Sequence, residues 1–220
     1  MKMNRTSRWL PRSVAVAVTV ALIAGAGCGS ATAGSGRDAS PSALPPVVRL
    51  PYSAADVHFM SGMIPHHAQA VVIAGWAASH GARADVRILA ERIVVAQRDE
   101  IALMRNWLRE RGEPVPAADA THLRMTMNGM EHDMLMPGML SADELARLDR
   151  ARGSEFDRLF LTYMIRHHEG AITMVDQLFA SHGAAQDEDV FRFASDVYAD
   201  QTTEVDRMLT MLASVPSDGR

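Results

Sequence analysis

The sequence predicts an all-α protein, a four-helix bundle made of two repeated αα-hairpins with a Met-rich central connection. Three observations predict it. Apolar residues recur at spacings of three and four through four long stretches, and no stretch alternates convincingly at the period of a strand. Met-Ile-x-His-His occurs at residues 63–67 and again at 164–168, an offset of 101. Behind each copy come the same turn, "SHG", and the same Gln-x-x-Glu-x-x-x-Met pattern.

Lys2, Arg5, Arg8 and Arg12 precede the apolar run "SVAVAVTVALIAGAG". A basic start, an apolar stretch of roughly 14 residues and small residues before a cut describe a secretory signal, residues 1–27, and not a membrane span. The single cysteine, Cys28, follows directly and reads as a bacterial lipidation site. Gly25 stands where a lipobox carries Leu, so plain cleaved secretion is the competing reading. Loss of residues 1–27 removes four positive charges and no negative one, taking the net charge from -4 to -8. That balance, with no basic run after the first dozen residues, argues against nucleic-acid binding. One cysteine allows no internal disulfide.

Residues 28–52 are rich in Gly, Ser, Ala and Pro, cannot bury a core, and predict a flexible tether. Ser53 and Asp56 form a capping-box pattern that opens the folded domain, residues 53–213. The first helix runs to about Ser79, with Asp56, Met60, Met63, His67, Ala70 and Ala74 on one stripe and Gly81 as its C-cap. Pro65 removes a backbone hydrogen bond inside it and predicts a kink. A second helix covers about 85–111, its inward stripe being Leu89, Ile93, Ala96, Gln97, Glu100, Met104 and Trp107. Residues 114–137 show no convincing period. "SADE", from Ser141, is another capping box and opens a short helix ending near Gly153. Long helices follow over about 154–181 and 187–213, and 214–220 read as a disordered tail.

The halves align. Asp56, Phe59, Met63, His66 and His67 match Asp157, Phe160, Met164, His167 and His168, while Gln97, Glu100 and Met104 match Gln201, Glu204 and Met208. Two like hairpins packed into one bundle bring their matching polar residues into a shared interior, where bundle proteins build metal sites.

Met63 lies one helical turn from both His66 and His67, so its thioether sits beside either imidazole. Adjacent histidines point about 100° apart, so one of each pair is expected inside and the other toward the edge. Thioether with imidazole is a soft to borderline donor set that favours Cu(I) over Mg, Ca or Mn. Glu100 and Glu204 fall on the core stripe, where a lone carboxylate is costly and needs a histidine, an arginine or a metal as partner. Two readings therefore stand for this layer: metal ligands, or a structural polar layer of histidine–glutamate pairs.

The central connection, "HLRMTMNGMEHDMLMPGM", carries Met125, Met127, Met130, Met134, Met136 and Met139 with His122 and His132. Thioethers interleaved with Gly, Asn, Asp and Pro in an exposed loop suit capture of Cu(I) or Ag(I). The competing reading is a hydrophobic lid over the bundle.

These segments resemble the ferritin-like family catalogued as domain of unknown function 305, which includes periplasmic copper-binding, CopM-like proteins. The resemblance rests on "FMSGMIPHHAQAV", "AQRDEIALMRNWL", "MPGMLSADELARL", "FDRLFLTYMIRHHEGAI" and the terminal Gln-x-x-Glu-x-x-x-Met. It implies a four-helix bundle, export to the envelope, and copper binding through Met and His. No Glu-x-x-His pair of the kind that holds di-iron sites occurs.

The sequence is thus identified with an exported, lipid-anchored protein on the outer face of the cytoplasmic membrane, or free in the periplasm or medium. It is expected to sequester or deliver Cu(I), with silver as an alternative ion, and to catalyse no reaction. His66, His67, His167 and His168 are the expected imidazole ligands and Met63 and Met164 the thioethers, with Met104 and Met208 closing the sites. Gln97, Glu100, Gln201 and Glu204 orient them or serve as occasional ligands. The expected partners are the metal ion and a copper exporter or chaperone, with the membrane touched only through the lipid. A metal-dependent oxidase and a metal-free structural bundle are the alternatives.

Overall fold

Ser53 starts the first helix as its sequence requires. Its hydroxyl accepts from the Asp56 N–H while the Asp56 carboxylate accepts the Ser53 N–H at 2.7 Å, so two of the donors that a helix start leaves free are satisfied. The computed structural model describes residues 51–127 and 130–216, with backbone alone for 123–133. Among them lie α1 (Ala54–Gly75), α2 (Ala84–Glu110), β1 (Leu123–Met127), β2 (Met130–Met134), α3 (Ala142–Arg150), α4 (Gly153–Ala180) and α5 (Glu188–Ala213). The signal, Cys28, the tether as far as residue 50 and the last four residues lie outside the described part. So do the side chains of Met125, Met127, Met130 and His132.

The two hairpins, α1 with α2 and α4 with α5, each pack on themselves and meet through α1 and α4. Their apolar residues divide into two clusters. One takes Phe59, Met63, Met104, Met174 and Phe193; the other takes Leu89, Ile93, Phe156, Phe160, Met164 and Met208. The first uses the leading half of α1 and the trailing half of α4, and the second the reverse, so the two inner helices run antiparallel. All-α holds for the bundle, and no helix among the described residues is long and apolar enough to cross a membrane.

Several expectations are corrected. Part of the central connection is regular: β1 and β2 pair antiparallel, with Leu123 opposite Met134 and Met125 opposite His132. The overlooked signal is Asn128-Gly129 between two methionine alternations, the dipeptide that two-residue hairpin turns favour. α1 ends at Gly75 with Trp76 as C-cap, and Gly81 supplies a positive φ of 73° in the turn beyond. Ala96 is exposed, being on the solvent edge of the stripe. The folded body extends past α5, since Val215 is buried.

Buried aspartates tie the hairpins together. Asp56 on α1 accepts the N–H of Ala185 in the α4–α5 turn at 2.7 Å, and Asp157 on α4 accepts that of Arg83 in the α1–α2 turn at 3.2 Å. Each half thus holds the loop of the other, through a matched pair that the repeat alignment contained.

Candidate metal centre

The polar residues of the repeat lie at or beside the boundary between the apolar clusters on all four long helices. His66 and His67 come from α1, Gln97 and Glu100 from α2, His167 and His168 from α4, and Gln201 and Glu204 from α5. The result is a polar waist between two apolar clusters. All four histidines are at most 1% exposed, which corrects the expectation of one inward and one outward ring per pair. The inner helices are covered on two sides, so rings 100° apart both meet protein.

His67 Nε2 lies 2.7 Å from Glu100 Oε2, and His168 Nε2 lies 2.7 Å from Glu204 Oε2. The second contact is an aligned hydrogen bond. In the first, the oxygen lies off the line of the ring N–H, and both atoms lack a hydrogen-bond partner despite their closeness. The other two rings stack on each other across the α1–α4 seam, with centroids 3.8 Å apart. His66 Nε2 faces the main-chain oxygen of Pro137 at 2.9 Å, whereas neither nitrogen of His167 has a partner. Nδ1 of all four rings is buried and unpartnered, as are Oε1 of Gln97 and of Gln201.

Burial fixes the charge state of the stacked pair. It drives His66 down to about 3, with the neighbouring His67 adding to the shift and the Pro137 oxygen partly opposing it. Burial likewise holds His167 well below the ordinary imidazole value, followed by repulsion from His66 and His168. Both are neutral at any physiological pH and carry a lone pair, the form in which imidazole binds a metal. On α5 beside the glutamates, burial and then the carboxylates of Glu100, Asp196 and Glu204 raise Asp200.

The methionines divide. Met63, Met104, Met164 and Met208 are fully buried, the first two in one cluster and the others in the second, so each half of the waist has thioethers in the apolar layer next to it. Met134 is exposed, but Met136 and Met139 are buried in the core and behave as the lid of the competing reading. Residues 136–140 form a strap across α1 and α4. A Cβ at Gly170 would collide with the Pro137 carbonyl, and one at Gly138, where φ is +78°, with the backbone of Arg166. Gln69 fastens the strap's end, donating to Leu140 O at 3.0 Å and accepting from Leu140 N at 2.7 Å. Sequence reading passed over Gln69, and its only signal was a polar residue on a buried face.

Among the described residues no three His, Cys, Asp or Glu side chains converge on one point. A hard cation needing a full oxygen shell is poorly served by such a waist. Neutral imidazoles with unused nitrogens, flanked by buried thioethers, fit a soft ion that accepts few donors.

No curated protein matches the chain significantly. Solved structures do. A DUF305 protein from Streptomyces coelicolor is 27% identical, over 76% of this chain and 97% of that one, with a TM-score of 0.61. A DUF305 fragment from Deinococcus radiodurans is 28% identical over 74% and 99%, with a TM-score of 0.60. CopM in its Cu(I)-bound form is 26% identical over 71% and 94%, with a TM-score of 0.53, and it is also solved with Cu(II) and with silver. The family model for the domain of unknown function DUF305 matches residues 56–212, and the chain belongs to that family.

Proposed function

We propose that this chain is an exported copper-binding protein that takes up Cu(I), holds it in the waist of the bundle, and sequesters or delivers it at the cell envelope without catalysing a reaction. One observation carries the reading: four wholly buried imidazoles with unused nitrogens sit between two methionine-bearing apolar layers. Burial of unsatisfied nitrogens is costly unless something repays it, and a soft metal ion does so. The copper- and silver-bound forms of CopM support the same ion class. His66, His67, His167 and His168 are the imidazole donors and Met63 and Met164 the thioethers beside them. Met104 and Met208 close the layer, and the β1–β2 hairpin with Met134 is the outer soft-metal collector. Anchoring through a lipid on Cys28 places the protein at the membrane surface.

The contacts of Glu100 and Glu204 with histidine favour a second reading, a structural polar layer that needs no metal. Titration of the full chain with Cu(I) against a coloured competing chelator, reduced and anaerobic, separates them. Uptake should be lost in His67→Ala/His168→Ala and kept when Met125, Met127, Met130 and Met134 become Leu. Loss in the methionine variant alone would move the site to the hairpin. No competition by wild type, with melting unchanged by every metal, would leave the structural layer.

A further inference from the structure

Three of the four buried imidazoles present the same edge to an oxygen. Glu100 faces Nε2 of His67 at 2.7 Å, Glu204 faces Nε2 of His168 at 2.7 Å, and the Pro137 carbonyl faces Nε2 of His66 at 2.9 Å. An ionised carboxylate and a peptide carbonyl accept hydrogen bonds and donate none. At His66 and His168 the hydrogen bond therefore runs from Nε2, and Nδ1 is the ring nitrogen left to offer a lone pair to a metal. At His67 the carboxylate occupies the same edge at the same distance but off the line of the ring N–H. Nδ1 is buried and without a partner in all three rings.

We propose that Glu100, Glu204 and the main-chain carbonyl of Pro137 are positioning groups that take up the Nε2 edges of His67, His168 and His66, so that an incoming soft ion is met by Nδ1. This rests on the copper reading and deepens it. Nδ1 is bonded to Cγ and lies nearer its own backbone than Nε2 does. An ion held there would be held by residues of α1 and α4, with the thioether of Met63 or Met164 one turn away on the same helix. Of the two roles open to the glutamates, orienting the rings or serving as occasional ligands, the first is then theirs. They hold the rings in one tautomer and one rotation, the role that a carboxylate or carbonyl plays behind a metal-bound histidine. The strap acquires a function of the same kind. Pro137 orients His66, and Gln69, by gripping Leu140, fixes Pro137.

The test uses the full chain labelled with 15N-histidine and long-range proton–nitrogen correlation spectra, first without metal and then with Ag(I) as the diamagnetic probe. Without metal, His66, His67 and His168 should show hydrogen on Nε2 and a bare Nδ1. Silver should shift and split the Nδ1 resonances of His67 and His168 while Nε2 keeps its hydrogen. Hydrogen on Nδ1 in the metal-free protein, or silver on Nε2, would overturn the assignment while leaving soft-metal binding intact. No silver uptake at all would overturn the copper reading and the assigned nitrogen together, and the metal-free tautomers would still show whether the oxygens orient the rings. Glu204→Ala should weaken silver binding on the order of 10- to 100-fold. Glu204→Gln, whose amide oxygen still accepts from Nε2, should recover most of that loss; equal loss in both variants would make the carboxylate a ligand and overturn the positioning role.

Discussion

The two halves repeat one set of buried histidines, methionines and glutamates and cover it differently. Met63, His66, His67 and Glu100 reappear as Met164, His167, His168 and Glu204 at matching depths. Around them the matches fail. Pro65 corresponds to Arg166 and Gln69 to Gly170. The strap explains both failures. There is one central connection for two hairpins, so it crosses the waist asymmetrically. It is gripped by a side chain on α1, and on α4 it needs a position with no side chain at all. His66 consequently has a carbonyl partner that His167 lacks. A duplicated bundle sets its polar layer by repetition, and the single segment joining the copies makes the two halves of that layer unequal.

The contact that enforces this inequality gives the largest expected effect. Gly170→Ala drives a methyl group into the Pro137 carbonyl and the Gly138 backbone, neither of which can rotate away. Overpacking of this kind should cost about 3 kcal/mol, seen as a lowered urea midpoint. Gly62→Ala is the matched control within α1. Its new methyl meets the end of the flexible Met136 side chain, and alanine favours helix, so the change should stay within about 1 kcal/mol. Equal effects at the two positions would mean that the strap does not press on α4, and the asymmetry would lose its cause.

Much of this frame was legible beforehand, for identifiable reasons. Helix starts were legible because Ser53 with Asp56 and Ser141 with Glu144 act within one turn. The polar layer was legible because its residues occur twice, and the need of Glu100 and Glu204 for a partner followed from the cost of burying charge. What escaped was decided by distant backbone. Nothing near His66 in sequence announces a carbonyl 71 residues away, and nothing near Asp56 announces the Ala185 N–H 129 residues away. The burial of Met136 and Met139 was hidden too, because the turn residues around them look equally at home in an exposed loop.

The reciprocal aspartates sharpen the comparison at the next level. Both oxygens of Asp56 are committed, Oδ2 to Ser53 N and Oγ and Oδ1 to Ala185 N. Asp56→Asn must aim an amide N–H at a donor and should cost about 2 kcal/mol. Asp157 shares its two oxygens with the single Arg83 N–H, so one amide oxygen suffices. Burial raises the Asp157 carboxyl above its ordinary value, with the Arg83 N–H opposing. A raised carboxyl costs stability when it ionises, and that cost grows as pH rises from the ordinary value of 3.8 through the folded one. Asp157→Asn should thus be neutral to mildly stabilising at pH 7, with any gain vanishing below the ordinary aspartate range. Denaturant titrations of both variants at neutral and acid pH read this, and a loss at Asp157 as large as that at Asp56 would restore the symmetry that the geometry denies.

The smallest effect concerns a clamp that only the second half possesses. Arg166, standing where the first half has Pro65, donates to both oxygens of Glu144 at 2.6 and 2.8 Å and ties α3 to α4. Those hydrogen bonds, led by the guanidinium and helped by the Ser141 N–H, hold Glu144 at about 2 against the opposing pull of burial. A lowered carboxyl contributes its stability above the ordinary glutamate value and loses it as pH falls toward 2. Solvent reaches both partners, so Glu144→Gln should cost only about 1 kcal/mol at pH 7, less at high salt, and nothing near pH 2. A variant whose deficit persists unchanged at pH 2 would show that Glu144 acts through its helix-capping bond to Ser141, a feature shared with the Ser53 cap of α1, and the clamp would then add nothing to what the two halves have in common.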